Sequence, residues 1–133
     1  MNVITVKTER KTQLLDITSA VADAVLGQTG SIVVVFVPHT TAGIVLQAAG
    51  DGAREVAGDV EKAFGQLAAG EARWNHAREG DRNPESHIRA SLTASSISIP
   101  LHGSKLALGR LQHVFLAEFD GPRERTIYVS VAR

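Results

Sequence analysis

A chain of 133 residues is one domain's length at roughly 150 residues per domain, and it is long enough to bury a core without cross-links. Hydrophobic residues at 44% and charged residues at 21% exclude wholesale disorder, and 14 Lys and Arg against 14 Asp and Glu leave no basic excess for general nucleic-acid binding. The absence of cysteine excludes disulfides, thiol catalysis, iron–sulfur clusters and thiolate zinc, while 5% aromatics are too few for a base-stacking platform.

Met1 to Lys7 reads as a short strand, followed by a solvated turn through Glu9, Arg10 and Lys11. This start has no long apolar stretch and no small-residue cleavage site, so a cytoplasmic location is expected. Gln13 to Asp16 is a second strand. Thr18 is an N-cap candidate for a helix over Ser19 to Leu26, with Ala20, Val21, Ala24 and Val25 on one face and Gly27 and Gly30 at its end. Ile32 to Val37 is the longest apolar run, far short of the ~18 residues of a membrane span. Bounded by Gly30 and Pro38, it predicts a strand buried on both faces. Pro38 ends the ladder because it lacks an N–H.

Gly43 to Gln47 predicts another strand. Ala53, Val56, Ala57, Val60, Phe64 and Leu67 recur at helical spacing and predict a helix over Asp51 to Ala69, capped by Gly70. Gly58 and Gly65 each weaken it by about 1 kcal/mol relative to Ala, so tertiary packing must hold it. Glu71 to Ser86 is a long polar loop with Trp74, Asn75, His76, Gly80, Asp81 and Asn83, a length usually functional or disordered; Trp74 argues against disorder. Asn83-Pro84-Glu85 starts a short helix to about Leu92. The remainder is β: Ser95 to Pro100, a turn at His102-Gly103-Ser104, Lys105 to Asp120 with a break near Gly109, a turn at Gly121-Pro122-Arg123, and Arg125 to Val131. Helices early and strands grouped late predict an α+β fold in one domain over residues 1–133.

No phosphate loop, G-x-G-x-x-G or H-E-x-x-H occurs, and no serine sits on a nucleophile elbow. Of five histidines, His39 follows a buried strand, His76 lies in the long loop and His87 in the first turn of the short helix; His102 and His113 complete the set. The first three occupy loop positions that a scaffold presents to ligands, and three imidazoles with an open position is a catalytic zinc arrangement. Their spacing has no metal signature, and unrelated surface or core histidines explain it at least as well. Thr40 and Thr41 serve a ligand or close the turn after Pro38. Ser91, Ser95 and Ser96 suit an anion or act as caps. Arg123 and Arg125 suit bidentate phosphate binding or solvation of a turn. Asp51 suits the dipole at a helix start, and shares a face with Asp59.

Seven strings in register resemble one family: Val37-Pro38-His39-Thr40-Thr41-Ala42-Gly43, Trp74-Asn75-His76, Ser86-His87-Ile88-Arg89-Ala90-Ser91-Leu92, Ser95-Ser96 with Pro100, Leu106-Ala107-Leu108-Gly109, Gln112, and Glu118-Phe119-Asp120-Gly121-Pro122-Arg123. Together they resemble the YjbQ-like family, also called the secondary thiamine-phosphate synthase family, across nearly the whole chain.

The resemblance implies a small α+β subunit, a mixed β-sheet sandwich with packed helices, assembled as a homotrimer with its site near the subunit boundary. A buried-type strand in a chain with little helix to cover both faces agrees with such an assembly. It also implies a divalent metal, zinc by preference for imidazole, on His39, His76 and His87, with His102 and His113 incidental. The candidate catalytic residues are His39, Thr40 and Asp51, and those for substrate or phosphate are Thr41, Ser95, Ser96 and Arg123. The implied activity joins a pyrimidine pyrophosphate to a thiazole phosphate and releases pyrophosphate, on a small phosphorylated substrate, with neither nucleic acid nor membrane as partner. Two departures stand out. The family's Asn-Glu-Asn-like stretch is Gln47-Ala48-Ala49 here, and the Trp before the family's Gln is Leu111. A trimeric metal- or anion-binding protein without turnover is therefore the alternative, and a structural interaction module a third.

Overall fold

The computed structural model describes residues 1–70, 73–78 and 83–133. Of the long loop, Glu71, Gly80 and Asp81 lie outside the described residues. Among the described residues, eight strands and three α-helices follow the order β1 (Asn2–Lys7), β2 (Gln13–Asp16), α1 (Thr18–Val25), β3 (Ile32–Phe36), β4 (Ala42–Ala48), α2 (Val56–Gln66), α3 (Pro84–Ser91), β5 (Ser96–His102), β6 (Lys105–Leu106), β7 (Gln112–Glu118) and β8 (Glu124–Ala132), with a 3-10 turn at Asn75–Arg78 before α3. No helix among the described residues is long and apolar enough to cross a membrane.

The strands form a five-stranded sheet, β1-β8-β3-β5-β6, and a three-stranded sheet, β2-β7-β4. Every strand pairing is antiparallel, so the α+β sandwich holds two antiparallel sheets in place of a mixed one. The main core lies between the sheets. It joins Val33, Val35, Ile99, Ile127 and Val129 to Ile44, Val114 and Leu116, with Ile17, Val21 and Val25 contributed from α1 and its start. The far face of the small sheet carries Leu14, Phe115 and Ala117, with Phe119 beyond; Ala57, Val60, Phe64 and Ala90 of α2 and α3 cover them.

This layering corrects the reading of β3. Val33 and Val35 are buried, yet Phe36 is 41% exposed, because one face of the five-stranded sheet has no covering layer among the described residues. The strand buried on both faces is β7, the middle strand of the middle layer, where Val114 to Glu118 are all buried. Its apolar run is interrupted by Glu118, which hid its depth in the sequence.

Helix ends also differ. Thr18 is the first residue of α1; the carboxylate of Asp16 accepts its N–H at 3.0 Å and its hydroxyl at 2.6 Å. The Thr18 hydroxyl in turn accepts the Val114 N–H at 2.8 Å, tying α1 to β7. Helix α2 is shorter than its periodicity predicts: residues 51–55 are turns, the helix ends at Gln66, and no residue in it is fully buried. Its C-terminal carbonyls are met by a buried side chain of α3, Arg89, which donates to Gly65 O and Leu67 O, both at 2.9 Å. The strand predicted over Lys105 to Asp120 breaks into β6 and β7 around Gly109, as expected.

Leu116 is fully buried between the sheets, whereas Leu92 is 60% exposed. Leu116→Ala should cost about 2–5 kcal/mol of unfolding free energy, and Leu92→Ala less than about 0.5 kcal/mol, by denaturant titration.

Candidate functional site

The cleft opens where four strand ends meet the start of α3. Its wall comes from Pro38 to Thr41 between β3 and β4, from Asp120 and Arg123 between β7 and β8, and from Arg125 in β8. The opposite side is His76, Asn83 and His87, around a volume of about 520 Å³.

Beneath it lies a buried ion pair. Glu118, at the end of β7, and Arg125, near the start of β8, are 0% and 4% exposed. Glu118 Oε1 accepts Arg125 Nε at 2.9 Å and the Thr8 hydroxyl at 2.7 Å. Glu118 Oε2 accepts Arg125 Nη2 and the amides of Phe119 and Asp120, at 3.0 and 3.1 Å. Burial by itself pushes this carboxyl up; the hydrogen bonds from Arg125, Thr8 and the Asp120 amide, with the Arg125 charge, hold it below the ordinary glutamate value. Arg125 Nη2 also donates to Thr41 Oγ1 at 2.8 Å, so the guanidinium reaches the cleft already oriented.

Pro38 stops β3, and the chain turns to bring His39 beside β8. The Thr126 amide donates to His39 Nε2 at 2.9 Å. Burial, and then the Arg125 charge, hold this imidazole below its ordinary value. From this wall a relay crosses to the other side: Arg123 Nη2 donates to Asp120 Oδ2 at 2.7 Å, Asn83 Nδ2 donates to the same oxygen at 2.7 Å, and Asn83 Oδ1 meets His76 Nε2 at 3.0 Å. The His76 and His87 rings stand edge-on, 5.1 Å apart. His87 rides on α3, which is fixed by the buried Ser86 hydroxyl donating to Phe119 O at 2.6 Å.

Two glycines permit this convergence. A Cβ on Gly43 would meet Thr93 Oγ1 at 1.9 Å, and one on Gly121 would meet Arg10 O at 2.2 Å. The first lets β4 close on the segment after α3, where Ile44 bridges Ala94; the second lets the Glu118–Arg123 turn lie against the loop before β2.

His39, Thr40, Thr41, His76, His87 and Arg123 thus come together in one chain. Ser95 lines an adjoining cleft that shares His39, Thr40 and His87, whereas Ser96 lies on β5 opposite Phe36, away from the cleft. Asp51 does not join them. It lies beyond the far end of β4, 96% exposed and paired with Arg54 at 2.9 Å. Ala48, the position where the resemblance implied a carboxylate, closes β4 six residues from Ala42, about 20 Å along the strand. His113 pairs with Asp16 at 2.7 Å and His102 ends β5, both outside the cleft lining.

Three residues had no role in the site assigned from the sequence. Glu118 and Asp120 stood in a resemblance string without one, although a carboxylate inside an apolar strand marks a buried pair. Asn83 precedes Pro84 as a capping residue should. Its side chain makes no capping hydrogen bond and is spent on Asp120 and His76.

His39, His76 and His87 line one cleft without forming a preformed three-ligand cluster. Among the described residues no three His, Asp or Glu groups stand close enough to hold an ion, and His39 Nε2 already accepts an amide proton.

The family model described as UPF0047 protein YjbQ-like matches residues 2–133. The chain belongs to the YjbQ-like family. It is 34% identical to a UPF0047 protein of Archaeoglobus fulgidus over 126 residues, covering 95% of this chain and 96% of that one. It is 31% identical to the UPF0047 protein YugU of Bacillus subtilis, covering 98% of each. A crystal structure of a hypothetical protein from Aeropyrum pernix superposes with a TM-score of 0.89 at 32% identity, over 99% of this chain and 98% of that one. One from Thermus thermophilus gives 0.87 at 33%, over 98% and 99%. The YjbQ-like strings His-Thr-Thr-Ala-Gly and Glu-Phe-Asp-Gly-Pro-Arg thereby acquire physical content in this chain: they supply one wall of the cleft and the Glu118 of the ion pair beneath it.

Glu118 is held in its charged form when folded, so the unfolded chain binds the extra proton first as acid is added. Stability from this group is present above the ordinary carboxylate range and is lost as pH falls through the lowered native value. Glu118→Gln should remove that part of the acid limb and cost about 3–5 kcal/mol at neutral pH, since it leaves Arg125 buried without its counter-charge. Denaturant titrations across pH 2–7 compare the two proteins.

Proposed function

We propose that this cleft binds a small phosphorylated molecule and carries out group transfer on it, the first reaction to test being the union of a pyrimidine pyrophosphate with a thiazole phosphate. The observation that carries the reading is Arg125, a buried guanidinium fixed by Glu118 and Thr41 before any ligand arrives, at the wall of a cleft that Arg123 and His39 share. A pre-oriented planar donor loses little freedom on meeting phosphate oxygens. A second, more apolar cleft lined by Trp74, Pro84 and Ile88 shares His76 and His87 with the first. The pair of clefts suits a ligand with a charged end and a flat apolar end. Trp74 is seated for this by its Nε1, which donates to Ala68 O at 3.2 Å.

In the proposed reaction a carbon–oxygen bond to pyrophosphate breaks as a carbon–nitrogen bond forms. Negative charge gathers on the leaving oxygens, where Arg125, Arg123 and His39 donors stabilise it. Proton transfer falls to the imidazoles, because Asp120 is engaged by Arg123 and Asn83 and Asp51 is remote. That shortage of an available carboxylate favours the second reading, a ligand-binding protein without turnover. For zinc, as the resemblance has it, His76 and His87 would be the holders, and His39 would have to release Thr126 to join them.

The proposed assembly is a homotrimer, supported by the uncovered face of the five-stranded sheet. Val3, Tyr128 and Phe36 form one cross-strand row there, with Val3 57% exposed and the Phe36 and Tyr128 rings stacked. Light scattering at micromolar concentration should give three chains for the wild type and one for Phe36→Glu; a stable wild-type monomer would refute the assembly.

Arg123→Ala should weaken binding of inorganic phosphate, pyrophosphate or thiazole phosphate by about 1.5–3 kcal/mol in calorimetry, the range for a charged hydrogen bond. No loss with any of the three would return Arg123 to a turn role. Incubation with the two precursors, read as thiamine phosphate formed, separates turnover from binding alone.

A further inference from the structure

Two imidazoles of the cleft have one nitrogen committed, and they are committed in opposite senses. At His39 the partner is a backbone amide, which has only a proton to give, so Nε2 must present its lone pair. The register explains the contact. Phe36 lies opposite Tyr128, which sets Thr126 opposite Pro38, past the end of β3; the imidazole takes the amide that the ladder leaves over. A neutral ring with a bare Nε2 carries its proton on Nδ1.

At His76 the order of donors runs the other way. Asp120 Oδ2 pairs with Arg123 and accepts, so the Asn83 amide must turn Nδ2 toward it. That leaves Asn83 Oδ1 for the ring, and an amide oxygen only accepts. His76 Nε2 therefore carries the proton, and its Nδ1 is bare.

We propose that His39 and His76 are locked in opposite tautomers across the cleft, His39 giving an N–H to a phosphate oxygen and His76 offering a lone pair to a ligand proton. This rests on the phosphate reading of the cleft. It assigns Asn83 and the Thr126 amide as positioning groups, and it removes His39 from the metal ligands that the resemblance implied. Either ring nitrogen of His39 would have to surrender its present state to coordinate an ion: Nε2 its amide proton, Nδ1 its own.

Long-range proton–nitrogen correlation on the full chain with ring-labelled histidine, at a pH where the rings are neutral, reads the tautomers directly. The expected result is Nδ1–H for His39 and Nε2–H for His76; Nε2–H at His39 or the same tautomer at both overturns the proposal. A second measurement uses His39→Gln, whose amide oxygen reaches the Nε2 position and keeps the Thr126 contact while leaving no donor where Nδ1 was. Its affinity for inorganic phosphate should fall about tenfold, the loss of one charge-assisted donor. His39→Asn, which restores an N–H near the Nδ1 position, should recover part of it. Wild-type affinity in the Gln variant overturns the donor role. Failure of the wild type to bind phosphate at all overturns the functional reading instead, and the tautomers stand or fall on the spectra.

Discussion

Everything around the cleft depends on a carboxylate and a guanidinium taken out of water together. Glu118 accepts five hydrogen bonds, from Thr8, Arg125 twice, and the amides of Phe119 and Asp120. Desolvating two ions is costly, and attraction repays it only where the remaining lone pairs and protons also find partners. Here they do, and each partner belongs to a different segment. Thr8 follows β1, Thr41 precedes β4, Phe119 and Asp120 continue β7, and Arg125 is in β8. The pair therefore works as a clamp on four strand ends, and the cleft lies over three of them, those of β4, β7 and β8, beside the end of β3.

The clamp requires the middle layer. β7 is enclosed by the five-stranded sheet on one face and by α2 and α3 on the other, so Glu118 has no route to solvent. The same enclosure fixes α3, through Ser86 on Phe119 O and Arg89 on the end of α2. His87 and Asn83 inherit their positions from that docking. A bulkier residue at Gly43 or Gly121 would separate the layers at their closest points, and both glycines flank the cleft. The precision of His39, Asn83, His87 and Arg125 is thus a property of strand ends and a docked helix.

The α+β class, the strand order along the chain and most element bounds were legible because hydrophobic runs, prolines and glycines punctuate them locally. Burial was less so. Ile32 to Val37 looks like a doubly buried strand since β-branched residues occupy both faces, but which face a neighbouring layer covers is a tertiary fact. β7 is the converse case, its charged residue Glu118 leaving the most enclosed strand without a local mark of its depth. The site followed the same division. His39, His76, His87 and Arg123 were found because their types and loop positions suggest chemistry. Asn83 was read as a cap, because its pairing with Asp120 spans 37 residues and leaves no local mark. Asp51 suits a helix start by its charge alone, and only the length of β4 reveals its distance from His39.

The charges of the cleft are balanced pairwise. Arg125 stands against Glu118 and Arg123 against Asp120, so a ligand phosphate meets no large surplus of positive potential. Long-range steering is correspondingly small, in keeping with a chain of zero formal charge. Selection then has to come from direction. Fixed N–H groups on a buried guanidinium and on one imidazole select oxygens at particular places, and a fixed lone pair on the facing imidazole selects a proton at another. A cleft organised by cation surplus would accept anions of many shapes. One organised by paired charges and opposed tautomers accepts a ligand whose donors and acceptors alternate in the same order, which is the stricter requirement and the one these side chains are built to impose.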